Sequence, residues 1–137
     1  MAHQERPRVL LADDYPALLV AWRRLLTPTC DVVGDVSDGQ AVFETAIRLV
    51  PDIIVLDVSM LGSDGFDACR AITRAIPATR VVLVTAAADP GLAQAALRAG
   101  ASAFVRKEAA ADDLPEAIGR VLAGETYCSA FPHRDVR

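Results

Sequence analysis

Residues Pro51 to Met60 read PDIIVLDVSM, in which four apolar residues, Ile53 to Leu56, run directly into an acid, Asp57. The run is too short for a helix, and no polar residue alternates through it. A strand covered by helices on both faces has this pattern, and such strands belong to parallel sheets. The same signature recurs at Arg8 to Ala12 and Asp31 to Val36 before it, and at Arg80 to Val84 and Ala101 to Val105 after it. Between these runs the apolar period lengthens from continuous to helical. Leu18, Leu19, Trp22, Leu25 and Leu26 recur at three- and four-residue steps, which puts them on one helix face and leaves Arg23 and Arg24 toward water. Trp22 is thereby read as a core residue.

Further helices are predicted over Gln40 to Leu49, Asp64 to Ile76, Pro90 to Ala99 and Asp112 to Ala123, bounded by Gly39, Asp89, Gly91 and Gly100. Pro16, Pro90 and Pro115 are assigned to first turns, where a missing amide proton leaves no bond unmade. Five βα units joined by right-handed crossovers give an α/β fold, a doubly wound five-stranded parallel sheet of flavodoxin-like order 2-1-3-4-5 in a single domain. The domain is expected over residues 7–124, with residues 125–137 as a tail or the start of a linker.

Composition narrows the field. With 137 residues, 53% hydrophobic and 23% charged, the chain has enough apolar surface for one core and is excluded from the disordered class. No apolar run approaches the roughly 18 residues of a membrane span, and MAHQERPR lacks the apolar stretch of a secretory signal, so a cytoplasmic location is expected. Eighteen acidic against 14 basic residues, a net charge of −4, argue against nucleic-acid binding by this surface itself. Cys30, Cys69 and Cys128 show neither metal-ligand nor CxxC spacing and read as reduced, buried small residues.

The polar residues that end the strands carry the chemistry. The first strand runs into Asp13 and Asp14, the third into Asp57 and the fourth into Thr85, and Lys107 stands two residues past the fifth. All five fall at carboxyl ends, and ligands of open α/β sheets bind there, where the strand order reverses. Three carboxylates in one cleft repel unless a cation or a proton intervenes. An all-oxygen set with no His or Cys nearby suits Mg2+ and disfavours zinc. Lys107 is the sole lysine of the chain. Its compact ammonium can pair with a carboxylate and then with a phosphoryl oxygen, while Thr85 adds a hydroxyl donor. One carboxylate is then free to act as a nucleophile toward phosphorus. Asp57 is assigned that role, since the adjacent acid pair is better placed to hold a metal.

Taken together, LLADD at Leu10 to Asp14, PDIIVLDVSM, DG at Asp64 to Gly65, VVLVTA at Val81 to Ala86 and GASAFVRK at Gly100 to Lys107 resemble the receiver domain of bacterial two-component response regulators. The resemblance covers roughly residues 7–124. It implies Asp57 as phosphoacceptor, and Mg2+ held by Asp13, Asp14, Asp57 and the backbone carbonyl of Ser59. It further implies Thr85 and Phe104 as the switch pair and Lys107 as the phosphate contact. Glu108 after the lysine, and AGETYCSA at Ala123 to Ala130, are similar to the NarL/LuxR-type subfamily. Leu61 departs from the family's usual proline, and Glu108 replaces a proline that follows a cis peptide in many members.

The resemblance implies a switch: a sensor histidine kinase donates in trans, since neither His3 nor His133 is placed to do so. Output would pass through a face of the fourth helix, fifth strand and fifth helix, by homodimerisation or through a helix-turn-helix DNA-binding domain that this sequence does not contain. Such a protein is a phosphoacceptor and not a turnover enzyme. Two alternatives compete with it. One is a phosphorylation-independent receiver-like interaction module. The other is a haloacid-dehalogenase-like phosphatase, which would want an acid two residues after its nucleophile, where this chain has Ser59.

Overall fold

The computed structural model describes residues 6–60, 63–87 and 89–129. Leu61, His3 and His133, named above, lie outside them, as do residues 130–137 of the expected tail. Strands β1 (Arg8–Ala12), β2 (Asp31–Val36) and β3 (Ile53–Asp57) are followed by a two-residue hairpin, β4 (Ser59–Met60) and β5 (Ser63–Asp64). Then come β6 (Arg80–Thr85), β7 (Ala103–Arg106) and β8 (Tyr127–Cys128). The helices are α1 (Pro16–Leu26), α2 (Gly39–Leu49), α3 (Gly65–Ala75), α4 (Pro90–Arg98) and α5 (Ala110–Leu122), the last entered through a 3-10 turn, Lys107–Ala109.

The main sheet is parallel with order β2-β1-β3-β6-β7-β8, so its first five strands reproduce the predicted 2-1-3-4-5. A sixth strand was not foreseen. β8 arises within the stretch read as a tail and pairs Tyr127 with Ala103 and Cys128 with Phe104. Two residues are too few to show any periodicity, and a lone Tyr-Cys pair gives no strand signal. Cys30 and Cys69 are buried free thiols, as expected, but Cys128 is exposed, on β8 at the edge of the sheet formed by the described residues. Burial pushes the Cys69 thiol up to about 12, so it stays protonated and inert.

Two apolar layers hold the sheet. Leu19, Trp22 and Leu26 of α1 meet Leu114, Ala117 and Ile118 of α5 on one face; Val42, Ala46, Cys69, Ile72 and Ala96 from α2, α3 and α4 cover the other. Trp22 belongs to that first layer, 3% exposed. Each Val, Leu or Ile fully buried this way contributes about 1.5–3 kcal/mol, which is why the central strand β3 carries no polar residue until Asp57 at its end.

Local chemistry sets the helix starts. Asp38, Asp64 and Asp89 each accept a hydrogen bond from the amide two residues on, at 2.9, 2.8 and 2.9 Å, and so cap α2, α3 and α4. Pro16 and Pro90 open their helices as predicted. Pro115 does not, for α5 begins at Ala110 and places it in the second turn. The 3-10 turn carries the backbone from β7 straight into the helix, so helical geometry starts ahead of Asp112, where the sequence placed the helix start. Val50, which ends α2, adopts the left-handed conformation at φ 44°, ψ 62°. The Arg8 guanidinium donates to its carbonyl and to that of Leu49.

Candidate functional site

The carboxyl ends of β1 and β3 are adjacent in the sheet, with Ala12 beside Leu56, so the residues that follow are brought together by register alone. One carboxylate oxygen from each of Asp13, Asp14 and Asp57 lies within 4.8 Å of the others. Asp13 is wholly buried, Asp57 is 3% exposed and Asp14 is half-buried. Asp13 Oδ1 accepts from the Tyr15 amide at 2.8 Å, which orients the side chain as the backbone turns into α1. Its other oxygen accepts no hydrogen bond of good angle, and its compensation is ionic: Lys107 Nζ stands 2.9 Å away.

Lys107 spans two of the acids, since its ammonium is also 3.3 Å from Asp57 Oδ2. It reaches them because β7 ends at Arg106, pairing with Thr85 on β6, and the 3-10 turn begins at once. Burial, and after it the charge of Asp13, raises the Asp57 carboxyl above its ordinary value against the pull of Lys107. For Lys107, burial disfavours the charge, but the contacts with Asp13 and Asp57 outweigh it and hold the proton more firmly than usual. The ammonium therefore stays charged and partly neutralises the cluster.

Thr85, 4% exposed, closes the same edge, and its Oγ1 accepts from the Ala87 amide at 3.0 Å. The Ser59 amide lies 3.4 Å from Asp57 Oδ1, a long contact that leaves the acceptor oxygen lightly held. Phe104 is not at the cluster: it is fully buried in the layer beneath α2, α3 and α4, with Leu83 and Ala96. Glu108 follows Lys107 through a trans peptide, there being no cis bond among the described residues. One residue quoted only as part of a DG pair acts on the site directly. Gly65 packs so tightly under the loop after Asp57 that a Cβ there would lie 2.6 Å from Val58 Cα and 2.8 Å from its carbonyl oxygen.

These residues fit a divalent cation. Asp13 and Asp57 are buried, the candidate ligand atoms are all oxygen, and their spacing lets one small ion touch three carboxylates. Comparison with known proteins gives the same direction. The response regulator receiver domain family model matches residues 9–119. The chain belongs to this family. Its receiver is 32% identical over 124 residues to the response regulator GacA of Pseudomonas aeruginosa, covering 89% of this chain and 58% of that protein. It is 31% identical over 131 residues to the nitrate/nitrite response regulator NarL of Escherichia coli, covering 94% and 61%. Among solved structures, the isolated receiver domain of RcsB from Salmonella enterica serovar Typhimurium, with the phosphomimetic BeF3−, superposes with TM-score 0.83 at 27% identity, covering 91% of this chain and 94% of that one. The signal receiver domain of NarL from Mycobacterium tuberculosis gives 0.82 at 31%, covering 89% and 100%. This is a receiver domain of the NarL/LuxR type. It spans about three-fifths of the length of the curated relatives it matches.

Proposed function

We propose that this receiver is a phosphorylation switch in which Asp57 accepts a phosphoryl group from a phosphohistidine of a sensor histidine kinase. The observation that carries this reading is the convergence of Asp13, Asp14 and Asp57 with one ammonium bridging two of them. An Asp57 carboxylate oxygen attacks phosphorus in line with the departing imidazole nitrogen; the P–N bond breaks as the P–O bond forms, and the imidazole takes a proton from water. The attacking oxygen is available because its side chain is only weakly hydrogen-bonded, and the burial that raises its proton affinity also keeps competing water away.

Lys107 then exchanges its contact with Asp57 for one with a phosphoryl oxygen, keeping Asp13 as its counter-ion. The Thr85 hydroxyl, so far an acceptor, donates to a second phosphoryl oxygen, and Phe104 repacks to follow it. Mg2+, when held by Asp13, Asp14, Asp57 and the Ser59 carbonyl, supplies positive charge to the transferring oxygens. A phosphoryl group adds about −1.5 to −2 charges to the pocket, enough to bias the backbone between two arrangements. Output is assigned to the α4–β7–α5 face; that it works by pairing of two copies or through a DNA-binding domain accords with RcsB, which has been solved as two dimers bound to two parallel DNAs. A cytoplasmic setting follows from the kinase partner, and no helix among the described residues is long and apolar enough to cross a membrane.

Incubation with acetyl phosphate and Mg2+, followed by intact mass measurement, tests the reading. A gain of one phosphoryl group that is lost in Asp57→Asn is the expected result. No gain in the unsubstituted chain would instead favour a phosphorylation-independent interaction module.

A further inference from the structure

The last described residue, Ser129, is 2% exposed although it lies beyond the two-residue edge strand. Its amide donates to the Phe104 carbonyl at 2.8 Å, which continues the β7–β8 ladder by one step. The next step is different. In a continuing parallel ladder the Arg106 amide would take a main-chain carbonyl, but it donates to Ser129 Oγ at 3.1 Å. The hydroxyl proton goes to Asp113 Oδ2, 2.5 Å away in the first turn of α5. One hydroxyl thus uses its donor on α5 and its acceptor on β7.

Lys107 lies between those two attachments. The 3-10 turn it begins has no side-chain cap, and neither does α5. The junction that aims the ammonium at Asp13 and Asp57 therefore has no side-chain cap at either helix start; the Arg106–Glu108 ion pair bridges it at the surface, and Ser129 ties the residue before it to the helix after it. We propose that Ser129 is a positioning residue for Lys107, which makes residues 127–129 part of the phosphoacceptor machinery; this rests on the function proposed above. Without the hydroxyl, Arg106 loses an acceptor, Asp113 loses a donor, and the turn gains freedom where the ammonium must be held to a fraction of an ångström.

The test follows the rate of mass gain with acetyl phosphate and Mg2+ in the unsubstituted chain, Ser129→Ala, Ser129→Thr, Lys107→Ala and the Ser129→Ala/Lys107→Ala double variant. Ser129→Ala is expected to be about tenfold slower, Ser129→Thr to recover most of the rate by restoring the hydroxyl, and the double variant to be no slower than Lys107→Ala alone. An unchanged rate in Ser129→Ala would overturn the inference. So would an equal slowing with and without Lys107, because that marks general loosening. Failure of the unsubstituted chain to gain a phosphoryl group would overturn the function on which the inference rests, an outcome distinct from either.

Discussion

Asp57 stands in an environment that opposes its own charge. Burial and then Asp13 raise its proton affinity in the folded state above that of the unfolded chain, and the sign of the consequence is fixed by linkage. Below the ordinary carboxylate range both states hold the proton and nothing is lost. As pH climbs through the raised folded value, the unfolded chain has already released its proton, and stability falls. With metal chelated, Asp57→Asn is expected to melt above the unsubstituted chain at pH 7, and the difference to close as pH is lowered past the ordinary carboxylate range. Thermal melts at a series of pH values check this; a constant or inverted gap would contradict the assigned environment. That Asp13, Asp14, Asp57, Thr85 and Lys107 come to one edge was legible in the sequence, because each stands at or within two residues of the point where an apolar run ends. Ser129 was not. Its partners Arg106 and Asp113 are distant in sequence from it, and a serine after a two-residue strand carries no pattern.

At the level of elements, the loop from β3 to α3 is where the fold is least tolerant. Gly65 opens α3 with its amide on the Val58 carbonyl at 2.9 Å, so helix and strand end approach closer than any side chain permits. Gly65→Ala must push α3 away from the backbone beside Asp57. The expected result is a loss of about 2 kcal/mol or more in stability, seen in denaturant titration, together with slower phosphorylation; a neutral substitution would show that the contact relaxes freely. Helix positions were readable from the 3.6-residue period and from bounding residues such as Asp89, while the caps made by Asp38 and Asp64 were not singled out. The start of α5 was misplaced because it has no cap, and the backbone of the preceding turn, not a residue type, decides where it begins. The hairpin β4–β5 escaped for the same reason as β8: ladders of two residues are made by the surrounding chain and leave no period of their own.

Across the whole molecule, the proposed seating of Mg2+ in the acid cluster would couple ion binding to folding. Mg2+ bound by the folded chain alone stabilises it by about 2.7 kcal/mol at a hundredfold excess over Kd, on the order of 8 °C in Tm for a domain of this size. Calorimetry with and without Mg2+ should show that rise, and Asp13→Asn should remove most of it while the apo chain remains folded; an equal rise in both would place the ion elsewhere. The overall architecture was legible because five short, mostly apolar strands alternating with amphipathic helices leave few alternatives to a doubly wound sheet. One chemical accident of this chain also has a practical use. Its sole lysine is the one that touches both Asp13 and Asp57, so a carbon-13 methyl tag placed by reductive alkylation has a single ε-amine to occupy. Firm protonation slows that reaction relative to the amino terminus, and the resulting resonance reports on the pocket from inside it, with no other side chain contributing to the spectrum.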